Sequence, residues 1–226
     1  MNEFHFEDLN PTVDENRVLE LARRITPLQI EWKIVAGTKS ETISSFENLQ
    51  VLAKSGLRYL SISPESGSKR IRNAIGKKFN DEHAFDLIKW SKILKVNTQA
   101  CFVLGMPNEN WADRRLTLNL IRKITWIGVS EIAVFIISPM PGSKLYGKEK
   151  SEILNLSFSP KWRGDYQKLF VSRLYWYLNF LILKAIRYPT LILKSIKARL
   201  NKEFDLKMEM APFRSSQWKK WMKHSS

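Results

Sequence analysis

The sequence predicts an α/β fold with a parallel sheet, continued by a basic helical tail. Three observations carry that expectation. Short apolar or alternating runs recur between longer stretches with helical spacing, as strands and helices require. Five such strands separated by four such helices imply βαβ crossovers, because parallel neighbours need a connection of about a dozen residues or more. Charge then divides the chain: residues 161–226 hold 15 Lys and Arg against 4 Asp and Glu, whereas residues 1–160 hold 22 against 18.

Phe4-His5-Phe6 reads as a short strand that ends in the polar turn Glu7-Asp8-Leu9-Asn10-Pro11. Val13, Arg17, Val18, Leu21 and Ile25 follow at helical spacing, with Asp14 and Glu15 in the first turn and Arg23 and Arg24 in the last, which suits the helix dipole. Residues 30–35 alternate as a strand. A helix over 46–55, closed by Gly56, leads to a strand over 59–62, and a helix over 81–94 leads to a strand over 98–104. The last unit is a helix over 111–127, closed by Gly128, with a strand over 132–137. The residues leave open whether these strands form an open sheet or part of a barrel.

Beyond residue 137 the character changes. Ser138-Pro139-Met140-Pro141-Gly142-Ser143 is a rigid turn. Residues 165–187 form an apolar helix rich in Trp and Tyr, Pro189 breaks it, and a basic helix resumes over 190–200. The expected division is a body of residues 1–147 and a helical tail of 148–226. The longest apolar run, 174–183, contains Asn179 and stops at Lys184. A membrane-crossing helix needs about 20 such residues. With an acidic start and no secretory signal, the expectation is a cytoplasmic protein, or one peripheral to a membrane surface.

The chemistry-bearing residues gather after the strands. In parallel α/β folds ligands bind at the carboxyl ends of the strands. Asp8, Glu65 and Glu109 would put three carboxylates around one rim, and Gly67 and Gly105 would let the chain pass close to a ligand. Such a rim suits ribose hydroxyls and an amino group, and the Gly-rich loops that cradle phosphates are absent. Each residue also has a plain alternative as a helix cap or a turn.

Taken together and in order, these segments resemble the radical S-adenosylmethionine (radical SAM) superfamily, in particular the class with a cobalamin-binding domain before the barrel. Phe6-Glu7-Asp8-Leu9-Asn10 is similar to the Asp-rich turn after that class's second barrel strand. Glu65-Ser66-Gly67 matches the Glu-Ser-Gly after the fourth. Gly105, Pro107 and Glu109 match a Gly-x-Pro-Gly-Glu after the fifth, with Asn108 in place of glycine. Pro139, Pro141 and Gly142 match a Pro-x-Pro-Gly-Thr after the sixth, and Lys77 and Lys78 fall where the family has a lysine. The resemblance spans residues 4–146 and implies a partial parallel (β/α) barrel. It implies that Glu7, Asp8 and Asn10 meet the amino group of S-adenosylmethionine, that Glu65 and Ser66, with Gly67, lie near its ribose or carboxylate, and that Val103 to Gly105 lie along the adenine.

The family's 4Fe-4S cluster is held by three cysteines in a CxxxCxxC loop after its first strand. Here Cys101 is the only cysteine, and one thiolate cannot replace three. Cys101 reads as a buried structural residue. His5, His83 and His224 have no ligand spacing, so no metal site is expected in this chain. The expectation is a carboxyl-terminal fragment of a radical SAM enzyme, opening at the family's second strand. Its partner is a missing N-terminal part, or a separate chain, carrying the cluster and cobalamin domains. The substrate is then a small or lipid-like molecule, transformed by 5′-deoxyadenosyl-radical or methyl-transfer chemistry. The alternative is a non-catalytic scaffold or regulatory remnant. The basic aromatic tail has two main readings, a membrane-surface helix pair or helices that cover the open side of the barrel or dock on the missing part. RNA contact through Trp218 and Trp221 is the weakest.

Overall fold

The computed structural model describes residues 3–8, 10–138, 160–201 and 206. Strands β1 (Glu3–Phe6), β2 (Glu31–Thr38), β3 (Leu57–Glu65), β4 (Asn97–Leu104) and β5 (Glu131–Ile136) form one sheet in chain order. Every pairing is parallel, for example Phe4 with Trp32, Lys33 with Tyr59, Ser61 with Gln99 and Cys101 with Ala133. Helices α1 (Glu15–Ile25), α2 (Phe46–Lys54), α3 (Lys69–Ala74), α4 (Asp81–Ile93) and α5 (Trp111–Ile127) connect the strands, and α6 (Tyr166–Arg187) and α7 (Pro189–Asn201) follow.

Strand order settles what the residues left open. Right-handed crossovers between successive neighbours place every helix on one side of the sheet. A doubly wound sheet reverses its order and carries helices on both sides. This arrangement is therefore a partial (β/α) barrel. The core lies between sheet and helices, where Trp32, Ile34, Leu60, Ile62, Phe102, Leu104, Ile132 and Val134 meet Leu49, Leu52, Phe85, Ile88, Ile121 and Ile124.

Side chains alternate along a strand, so the opposite face holds Tyr59, Ser61, Gln99, Cys101 and Glu131. That face is polar and internally bonded. Tyr59 Oη and Gln99 Nε2 (2.8 Å) both donate to Glu131 Oε1, and Ser61 Oγ donates to Gln99 Oε1 at 3.2 Å. Cys101 was expected to be buried, but it is half-buried. It falls on this second face, out of phase with the buried Ala100 and Phe102.

The helices begin where the sequence provides caps. Asp14, Ser45, Ser68, Asn80 and Asn110 each accept a backbone N–H from the first turn, and Asn110 with Asp113 forms a reciprocal capping box. Gly56 ends the α2 turn at φ 104°, where a Cβ would stand 1.9 Å from the Ile30 carbonyl oxygen. β2 and β3 run further than the alternation suggests. Thr38 Oγ1 donates to the Ser61 carbonyl at 3.0 Å, and Pro64 falls at a register shift between Ile62 and Glu65, where its missing N–H costs no ladder bond.

α6 packs on α5 and along the outer edge of β5, burying Leu169, Trp176 and Phe180. Tyr177 Oη accepts the Val134 N–H at 3.0 Å, and Arg122 donates to Asn179 Oδ1 at 2.7 Å. The expected division after residue 147 lies outside the described residues.

Candidate active site

The strand ends are brought to one rim, and each is built differently. After β1, Glu7 and Asp8 are exposed carboxylates. Asn10 is half-buried, and its side-chain oxygen accepts from Thr12 Oγ1 at 3.1 Å. Asn10 is thus spoken for by its own turn, while the two acids face solvent.

The end of β3 is a backbone outlier. Glu65 has φ 63°, a left-handed conformation that costs a residue with a Cβ of order 1 kcal/mol or more. Its carboxylate is met by Lys77 Nζ at 3.2 Å, and both side chains are 21% exposed. Ser66 and Gly67 turn the other way. Ser66 is fully buried, with its hydroxyl 3.1 Å from Thr117 Oγ1 and also accepting the Ser68 N–H. Gly67 donates its N–H to Thr117 Oγ1 at 3.0 Å. A Cβ at Gly67 would stand 2.4 Å from the Leu116 carbonyl oxygen, so the close approach this glycine permits is to the α5 backbone. Ser68 Oγ continues the tie to α5, donating to Asp113 Oδ1 at 2.6 Å, and Arg70 pairs with Asp113 Oδ2. Burial pushes the Asp113 carboxyl up, but the bonds from Arg70, Ser68 and the Asn110 N–H outweigh it and hold it at about 2.

The end of β4 is a knot around one carboxylate. Val103 is half-buried and Gly105 is buried at φ 82°. Glu109 Oε2 accepts the Gly105 N–H at 2.9 Å and Arg114 Nε at 3.1 Å. Glu109 Oε1 is buried and has no hydrogen-bond partner among the described residues. Burial raises this carboxyl above the usual range despite the Gly105 and Arg114 bonds. Pro107 is exposed on the loop. Asn108 sits at φ 59°, which explains why the family pattern has glycine at that position and why asparagine is tolerated there.

Arg163 arrives from beyond β5. It donates to the Ile137 carbonyl at 3.2 Å and to both oxygens of Asp165, and it lies against Gly105 together with Leu169. Residues 139–143, the predicted Pro-Met-Pro-Gly-Ser turn, lie outside the described residues.

Sequence reasoning overlooked several members of this rim. Thr117 and Asp113 lie on α5 at positions that repeat like any buried helical residue, so nothing marked them as partners of the β3 loop. Arg163 stands in a stretch without a motif. Gly37, whose missing Cβ makes room for Ser63, also went unread.

The geometry can accept hydrogen bonds from a ligand's hydroxyl and amino groups, through Glu7, Asp8, Glu65 and the orphan Glu109 oxygen. Lys77 can meet a carboxylate. A three-thiolate iron–sulfur site does not fit these residues. Cys101 lies on β4 with its sulfur 3.4 Å from Ser61 Oγ, and no group of three potential ligands occurs among the described residues.

The family model of the Radical SAM superfamily matches residues 2–121. Cytidylyl-2-hydroxyethylphosphonate methyltransferase of Streptomyces wedmorensis is 28% identical over 152 residues, covering 64% of this chain and 28% of that protein. An uncharacterized methyltransferase of Pyrococcus horikoshii is 25% identical over 167 residues, covering 72% of this chain and 34% of its own length. The chain thus spans about a third or less of each. Among solved structures, coproporphyrinogen III oxidase of Escherichia coli, a radical SAM enzyme, superimposes with a TM-score of 0.56 at 16% identity, covering 77% of this chain and 40% of that one. The methyltransferase TsrM of Kitasatospora setae, solved with cobalamin and a [4Fe-4S] cluster, gives 0.52 at 12% identity, covering 60% and 27%. At these identities the structural likenesses show the fold alone.

Proposed function

The chain belongs to the Radical SAM superfamily, and on that premise we propose that its rim binds S-adenosylmethionine for a methyl-transfer or radical reaction. The observation that carries this reading is Glu65. A strained, half-buried acid at a strand end persists only where surrounding structure holds it, and such residues cluster at ligand sites. Two buried ties to α5, through Ser66 and Gly67, supply that hold.

In this reading Glu65 accepts from the ribose hydroxyls and Lys77 meets the methionine carboxylate. Glu7 and Asp8 take the amino group, and Val103 to Gly105 line the adenine. Glu109 shapes the β4 loop with one carboxylate oxygen and offers the other as an acceptor. With Cys101 its only cysteine, the chain would need thiolates from beyond these 226 residues to hold a 4Fe-4S cluster, which when bound would supply an electron for cleavage of S-adenosylmethionine. Methyl transfer is favoured over other radical outcomes because the two relatives described above are methyltransferases.

The test is ligand-observed NMR on the full chain with S-adenosylmethionine at about 1 mM, where even weak binding saturates measurably. Saturation transfer to the adenine and ribose protons is expected, and Glu65→Gln should reduce it severalfold without changing the fold. Absence of transfer would refute the nucleoside site and leave the non-catalytic scaffold reading in its place.

A further inference from the structure

α6 has two apolar faces, and the sheet accounts for only one. Leu169, Trp176 and Phe180 are buried inward, with Tyr177 and Asn179 bonded to β5 and α5. Outward, Val171, Leu174, Leu178, Leu181, Ile182 and Ile186 are between 41% and 66% exposed. At about 100° per residue these six fall within an arc of roughly 140°, opposite the buried stripe. α7 continues the pattern with Leu193 and Ile196, both exposed. Isolated exposed apolar residues are ordinary, but six along one arc of a helix, followed by more on the next helix, mark an interaction surface.

Charge selects the partner. Residues 166–201 hold seven Lys and Arg and no Asp or Glu; Lys184 is turned inward to the sheet, whereas Lys168 and Lys197 are exposed. Two copies of this face set against each other would bring no carboxylate of α6 or α7 to meet the exposed cations. An anionic lipid surface satisfies both features, since acyl chains take the apolar arc and headgroups take the exposed cations. We propose that the outward face of α6 and α7 docks on an anionic bilayer, with the helices lying in the interface.

The helix is long and apolar enough to cross a membrane by length and composition, but its tethers rule that out. Crossing would strip Tyr177 from the Val134 N–H and Arg122 from Asn179, and would carry Arg173 and Lys184 into hydrocarbon. The buried Lys184 donates to the Ser130 carbonyl, holding the far end of α6 to the sheet. At the near end Leu169 lies against Gly105, so a bilayer along α6 would run beside the candidate rim. The docking surface stands independently of what that rim binds.

Co-flotation of the full chain with vesicles tests this directly. One set is phosphatidylcholine with phosphatidylglycerol at equal parts, the other phosphatidylcholine alone. Flotation with the anionic set and little with the neutral set is expected. Binding should fall severalfold when salt is raised from about 0.1 M to 1 M, as the Debye length shrinks from about 10 Å to 3 Å. Leu178→Glu with Ile182→Glu should weaken binding about 100-fold, at about tenfold for each apolar side chain lost from the interface. Both positions are exposed, so circular dichroism and the urea midpoint of that variant should match the parent. Equal flotation with both vesicle sets overturns the proposal, as does parent-like binding by the double variant. Absence of flotation also overturns it, whether the chain instead forms a dimer abolished by the double variant or is retained on single-stranded RNA.

Discussion

Replacing Gly67 by alanine separates two roles for this residue, and the structure puts a magnitude on the outcome. The new methyl would stand 2.4 Å from the Leu116 carbonyl oxygen and 2.7 Å from Thr117 Cα, both backbone atoms of α5. Ordinary contact begins near 3.4 Å, so the β3 loop and α5 must part by about 1 Å. That displacement stretches the Gly67 N–H bond to Thr117 Oγ1 (3.0 Å) and the Ser66–Thr117 hydroxyl contact (3.1 Å). Losing two buried hydrogen bonds at about 1–1.5 kcal/mol each costs about 2–3 kcal/mol. Urea denaturation reads this as a drop of about 0.7–1.5 M in midpoint at unchanged slope, for a slope of about 2–3 kcal/mol/M. Thr117→Val, which removes both bonds without the clash, should lose nearly as much. If Gly67 instead exists for ligand approach, Gly67→Ala would leave the midpoint within about 0.2 M of the parent and abolish nucleoside binding alone. That result would refute the packing argument and the account of how Glu65 is held.

The remaining expectations concern the two neighbouring loops. Asp113 is held at about 2 by Arg70, Ser68 and Asn110 against the opposing effect of burial. Its folded pKa lies below the unfolded value near 4, so it contributes stability that is complete above about pH 4 and is lost as pH falls toward 2. Asp113→Asn should flatten the urea midpoint across that window, and an unchanged acid slope would show that other carboxylates carry it. Asn108→Ala should cost about 1 kcal/mol, because alanine tolerates φ 59° less well, whereas Asn108→Gly should stay within about 0.5 kcal/mol of the parent. Thermal unfolding midpoints distinguish the two, and equal losses would contradict the strain reading.

Much of the fold was legible in the residues because parallel βαβ units advertise themselves. Buried strands read as apolar runs and covering helices as amphipathic ones. Acids such as Asp14 and Glu15 in a first turn, and the stops at Gly56 and Gly128, mark the boundaries locally. The strand-end motifs pointed to the rim, but their individual roles could not be read. Glu65, Ser66 and Gly67 are adjacent in the chain, yet Glu65 faces Lys77 while Ser66 and Gly67 are tied to Thr117, 51 and 50 residues away. Which way each points depends on the left-handed turn at Glu65, and a glutamate gives no local sign of it. The substitution at Asn108 looked like a departure from the family pattern. The backbone angle shows one conformation served by two residue types.

By itself the sequence determined the α/β class, the parallel connections, the family and the lack of enough thiolates for a cluster. Those properties rest on periodicity, on short motifs and on counting residue types. Periodicity left open a partial barrel or a doubly wound sheet and the family resemblance implied the barrel; strand order, a relation between distant segments, showed it. Tertiary structure alone divided the apolar residues of α6 into a face spent on β5 and a face left to solvent. Composition along a helix reports how much apolar surface exists, and only packing decides how much of it remains uncovered.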